Sequence, residues 1–70
     1  MKRYNLKFWR IRKGLTQAEL SGRLGITPEY YKAVENGKYN PSAKITNRFK
    51  ELFLTSDEET ENLFKLENEL

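Results

Sequence analysis

The stretch that most constrains this 70-residue chain is Leu15 to Gly37, LTQAELSGRLGITPEYYKAVENG. Thr16 stands three residues before Glu19, the spacing of a capping box, so a helix starts at Gln17. Leu20 and Leu24 fall on one face of it. Gly25 follows, placed where a tight turn needs a positive φ. Thr27 and Pro28 open a second helix. Thr27 accepts an orphan N–H at the N-cap, and Pro28 at the first helical position has none to leave unpaired. That helix turns Tyr31 and Val34 inward and ends at Asn36-Gly37, a left-handed cap. Two helices joined by so short a turn must cross steeply, and the second then stands out from the body.

Such a pair has the geometry of a helix-turn-helix, whose second helix enters the DNA major groove. The segments TQAEL, LGIT and ENGKYNPS, in that order, resemble the phage lambda repressor and Cro-like (XRE) helix-turn-helix family. The match rests on Thr16-Gln17, Leu20, Leu24-Gly25-Ile26, Val34-Glu35-Asn36-Gly37 and Asn40-Pro41-Ser42 at the family's spacings. It runs from about Leu6 to Phe53. The resemblance implies an all-α fold, a five-helix lambda-repressor-like DNA-binding domain with the helix-turn-helix at helices 2 and 3. Residues 1–70 then form a single domain, with a family core at 5–53 and an acidic C-terminal helix at 54–70 used for packing or dimerisation.

A chain this short lies near the lower limit for a self-sufficient core, so it needs regular helix packing, a staple or a partner subunit. Cysteine is absent, which excludes disulfides and thiolate metal sites. Histidine is absent too, which removes the commonest general base and metal ligand. With no paired-carboxylate spacing and no glycine-rich phosphate loop, the sequence does not read as an enzyme. No cofactor, metal or small-molecule ligand is expected. No apolar run reaches membrane-spanning length and no secretory leader is visible, so no membrane partner is expected and the cytoplasm is the default location.

The net charge of +3 hides an asymmetry. Residues 1–50 carry twelve Lys and Arg against three Glu, and residues 51–70 carry one Lys against seven Asp and Glu. A basic body with an acidic tail suits a molecule that meets phosphate on one side only.

Five helices are the economical reading: about Asn5 to Lys13, the two already described, about Ala43 to Phe53 after a Ser42 cap, and a fifth beginning after Thr55 or Ser56. Apolar residues at helical spacing give a core of Leu6, Trp9, Leu15, Leu20, Leu24, Ile26, Tyr31, Val34, Ile45, Phe49 and Leu52. The first helix has a second apolar stripe, Tyr4, Phe8 and Ile11, which should be covered. Leu63, Phe64, Leu66 and Leu70 form the matching stripe of the last helix, which therefore folds back onto helix 1 or joins it in a subunit interface.

The resemblance also assigns roles. Gln17, at a helix N-terminus that favours anions, matches a residue that holds a DNA phosphate. Asn36 and Lys38 match a second phosphate clamp, and such contacts set register rather than sequence preference. Base reading falls to the outward face of the second helix, Pro28, Glu29, Lys32 and Ala33. Its N-cap Thr27, Tyr30 and the loop residue Tyr39 lie alongside. Pro28 and Glu29 depart from the family's usual polar pair. Glu29 can only accept, so cytosine N4 is its natural partner, whereas Lys32 can donate to guanine and Ala33 can touch a thymine methyl. Arg10 and Glu35 match a partly buried ion pair that joins helix 1 to the end of helix 3. The expected function is a sequence-specific double-stranded DNA-binding transcriptional regulator, a repressor acting as a homodimer on an operator. The alternative is a protein-interaction module, or an antitoxin-like partner-binding protein, on the same fold.

Overall fold

Serine and threonine hydroxyls start most of the helices. In the computed structural model, which describes residues 1–68, the order is α1 Tyr4–Arg12, α2 Gln17–Leu24, α3 Pro28–Glu35, α4 Ala43–Phe53 and α5 Asp57–Leu63. The caps are Thr16 for α2, Thr27 for α3, Ser42 for α4 and Ser56 for α5, each accepting the backbone N–H three residues on. At α2 the box is complete, with the Thr16 N–H donating to Glu19 at 2.9 Å and the Glu19 N–H donating to Thr16 at 3.0 Å. The α2–α3 turn is made by Gly25 at φ 73°, as its place in the sequence requires. Helix α1 has no side-chain cap and runs one residue earlier at each end than the 5–13 expected.

The buried apolar residues are Leu6, Trp9, Leu20, Leu24, Tyr31, Val34, Phe49 and Leu63, with Leu15, Ile26 and Ile45 packed partly buried against them. Leu52, expected in the core, is 43% exposed instead. Phe53, expected to face inward with Ile45 and Phe49, does so. It lies four residues beyond Phe49 on the same α4 face, where it packs partly buried against the core, while Leu52 falls to the side of the helix that faces away. Trp9, Phe49 and Phe53 form a triangle with ring centroids 4.8, 4.8 and 4.9 Å apart. Phe64 adds an edge-on contact to Phe49 at 5.2 Å.

The chain after Phe53 departs further from the sequence reading. Helix α5 ends at Leu63, so Phe64 is its C-cap and Leu66 lies beyond it; Leu70 lies outside the described residues. The segment does fold back, packing α5 against α1 and α4. It does not cover the second stripe of α1, where Phe8 stays 49% and Ile11 54% exposed. The chain then pairs with the N-terminus, as the Lys2 N–H donates to the Glu67 carbonyl at 2.9 Å and the Glu67 N–H returns to Lys2 at 2.8 Å. This is an isolated antiparallel bridge, and there is no strand among the described residues.

Arg3 organises that junction, and its burial is invisible in the sequence. The residue is 3% exposed. Its guanidinium donates to the Val34 carbonyl at 2.6 Å, the Tyr39 carbonyl at 3.1 Å, the Asn40 Oδ1 at 2.8 Å and the Phe64 carbonyl at 2.8 Å. Val34 and Phe64 close α3 and α5, so the cation sits at the negative ends of two helix dipoles. Burial lowers the Arg3 pKa, but an arginine stays charged. Arg3→Ala would leave these carbonyls without a donor, and it should lower the unfolding free energy by about 3 kcal/mol in urea denaturation.

Candidate nucleic-acid interface

Helix α3 is fixed at its C-terminal end and open at its N-terminal end. Tyr31 and Val34 are buried, while Pro28, Glu29 and Lys32 are exposed. Ala33 is half-buried. Its carbonyl accepts from the Lys38 N–H at 2.8 Å and the Tyr39 N–H at 3.3 Å, which folds the following loop back along the helix. Thr27 caps the helix through the Tyr30 N–H at 3.1 Å. Tyr30, half-buried, stacks on Tyr39 with centroids 5.8 Å apart, and the Lys38 ammonium lies 5.7 Å from the Tyr39 ring. Gly37, at φ 80°, turns the chain out of α3, and a Cβ there would run into the Met1 carbonyl oxygen.

The Arg10–Glu35 pair forms as expected. The Arg10 Nε donates to one Glu35 oxygen at 2.9 Å and Nη2 to the other at 3.1 Å. Arg10 also donates to the Leu15 carbonyl at 2.9 Å, so one guanidinium ties α1 to α3 and to the entry of α2. Burial alone would push the Glu35 carboxyl up, but the Arg10 hydrogen bonds and charge outweigh it and hold the group below the ordinary carboxylate range. The Tyr31 hydroxyl is buried near this pair with no hydrogen-bond partner of good geometry, and burial pushes its pKa up.

Gln17 joins this scaffold. Its Nε2 donates to Glu35 at 3.2 Å, and the amide nitrogen has a second hydrogen left over. Gln17 and Asn36 line one depression of about 320 Å³ beside the C-terminal end of α3. Lys2, Arg3, Tyr4 and Lys7 line it too, beside the Arg10–Glu35 pair, and sequence reasoning missed all four as site residues. The only signal for them was the basic excess of the first fifty residues, since nothing local marks the start of α1 as a neighbour of α3. Lys38 does not line this depression and sits with the Tyr30–Tyr39 stack instead. The site residues thus fall into three groups: a depression with a basic rim, an exposed polar face on α3, and an aromatic and lysine shoulder beyond it. Among the described residues, no cluster of His, Cys, Asp or Glu side chains could hold a metal ion. No helix among them is long and apolar enough to cross a membrane.

The capped α2, the glycine turn and α3, with its exposed outer face, complete a helix-turn-helix. The chain matches a family described as a helix-turn-helix domain over residues 4–69. It belongs to the XRE-like helix-turn-helix family. A protein of Archaeoglobus fulgidus named an uncharacterized HTH-type transcriptional regulator is 37% identical over 65 residues, covering 81% of this chain and 93% of its own. One of the same description from Methanocaldococcus jannaschii is 38% identical over 48 residues, covering 69% and 73%. No solved structure gives a significant match.

A carboxyl held below its unfolded value stabilises the fold only while it is ionised. Stability from Glu35 is therefore present at neutral pH and is lost as the pH falls through its lowered folded value. Urea denaturation should show an acid-side decline below about pH 5, and Glu35→Gln should flatten that decline while lowering stability at pH 7 by about 3–5 kcal/mol.

Proposed function

We propose that this protein is a sequence-specific double-stranded DNA-binding transcriptional regulator that places α3 in the major groove. The family and the names of its relatives support a DNA-binding regulator. The observation that carries the finer reading is the exposed Pro28, Glu29 and Lys32 face of α3, flanked by the depression that gathers Lys2, Lys7, Gln17 and Asn36. The depression takes a backbone phosphate, with the free Gln17 N–H and the two ammonium groups as donors. Lys38 and Tyr39 take a second phosphate on the other side of α3. Lys32 donates to guanine, Glu29 accepts from cytosine, and Ala33 touches a thymine methyl. One α3 spans only a few base pairs, so two copies bind inverted half-sites whose centres lie roughly 34 Å apart. Occupation of such an operator represses transcription, and the setting is cytoplasmic.

Pro28 and Glu29, one without polar reach and one repelled by phosphate, favour a second reading in which the same face binds a protein. Salt dependence separates the two. Titration of a random duplex should give a steep fall of log affinity with log salt, and a flat response would support the protein-binding reading. Gln17→Ala and Lys38→Ala should weaken binding to every duplex, and Lys38→Ala should also make the salt slope shallower by about one. Lys32→Ala should change preference at one base pair by about 1–3 kcal/mol in competition binding, with little effect elsewhere.

A further inference from the structure

Granted the reading above, in which the depression beside α3 takes a backbone phosphate, we infer that Glu67 competes with that phosphate for Lys2. The segment after α5 then limits how tightly the protein holds a duplex. Lys2 and Glu67 exchange both of their backbone hydrogen bonds, at 2.9 and 2.8 Å. Residues paired in this way across an antiparallel bridge put their side chains on the same face, with Cβ atoms roughly 5 Å apart. Lys2 lines the depression with Lys7, Gln17 and Asn36, whereas Glu67 is not among its walls. The carboxylate therefore stands next to the depression, within reach of the ammonium that the phosphate would use. No ion pair among the described residues joins Lys2 to Glu67, so the lysine is not already committed to the carboxylate.

The bridge is seated firmly on the exit of α3. Next to Lys2, the Arg3 N–H donates to the Glu35 carbonyl at 2.9 Å, and the Arg3 guanidinium holds both the Val34 and the Phe64 carbonyls. Gly37 supplies a notch on the other side. A Cβ there would collide with the Met1 carbonyl oxygen and lie 3.1 Å from the Leu66 side chain. Backbone placement therefore holds the Glu67 carboxylate beside the depression. An incoming phosphate must share Lys2 with it or displace it, and either lowers the gain from the contact. A phosphate carries no base identity, so the loss is the same for every duplex. Glu67 sets affinity and leaves sequence preference to α3.

Equilibrium titration of the full chain with a random duplex tests the competition. Glu67→Gln keeps the backbone bridge and should bind about two- to five-fold tighter, the range of an exposed ion pair. Its affinity should also fall more steeply with salt, because Lys2 is then given wholly to phosphate. Glu61→Gln makes the same change in net charge on α5, where the residue lines a hollow with Thr46 and Lys50 of α4, and should leave affinity unchanged. Lys2→Met should weaken binding, and adding Glu67→Gln to it should bring no gain. Thermal unfolding followed by circular dichroism should be the same for Glu67→Gln as for the wild type. Wild-type affinity in Glu67→Gln, an equal gain in Glu61→Gln, or a gain that persists in the Lys2→Met background would each overturn the inference. Wild-type binding that Gln17→Ala weakens and Glu67→Gln leaves alone would remove the competition and keep the phosphate reading. A wild type that binds no duplex would sink both.

Discussion

The Arg10 guanidinium, bonded to both oxygens of Glu35, is the contact on which the position of α3 depends. A planar fork meeting a carboxylate fixes distance and orientation together, which the single ammonium of a lysine cannot do. The same group holds the Leu15 carbonyl, so the start of α2 and the end of α3 are set from one point on α1. Gln17 adds a third side chain to the Glu35 carboxylate. Scaffold and candidate phosphate depression therefore share atoms, and a ligand that engages Gln17 acts on a group already tied to the ion pair.

Arg3 complements this contact from the other side. It has no carboxylate partner among the described residues and is held by three backbone carbonyls and one amide oxygen. The acceptors come from the end of α3, the loop after it and the C-cap of α5, so one cation closes the two ends of the chain onto the middle. A buried charge of this kind is tolerated because several partial negative charges at helix C-termini replace its hydration. In so short a chain, where the apolar core is small, such polar ties carry a large share of the specification of the fold.

The acidic end of the chain also has a structural use. Asp57, Glu58 and Glu59 occupy the first turn of α5, where the helix dipole favours them. Asp57 also receives the Lys50 ammonium at 2.6 Å, which holds its carboxyl below the ordinary range and links α4 to α5. The basic residues are left to the rest of the surface, including the rim of the depression beside α3.

Local chemistry made much of this legible. The caps Thr16, Thr27 and Ser42, the turn at Gly25 and the apolar spacing of α2, α3 and α4 are decided within a few residues, and the family's motif located the Arg10–Glu35 pair. Pro28, Glu29 and Lys32 lie exposed on the side of α3 away from the buried Tyr31 and Val34, as helical spacing requires, whereas Ala33 is half-buried. What lay beyond reach depended on distant parts of the chain. Leu52 and Phe53 both read as inward-facing, and only the placement of the Trp9 and Phe49 rings shows that Phe53 packs there while Leu52 stays exposed. Burial of Arg3, the meeting of Lys2 and Lys7 with Gln17 and Asn36, and the early end of α5 come from contacts that span much of the chain. The sequence by itself determined the helices and their caps, because hydrogen bonding and side-chain period act locally. Tertiary structure alone decided which charges share a surface and which apolar stripe stays bare, because those outcomes depend on how whole helices pack.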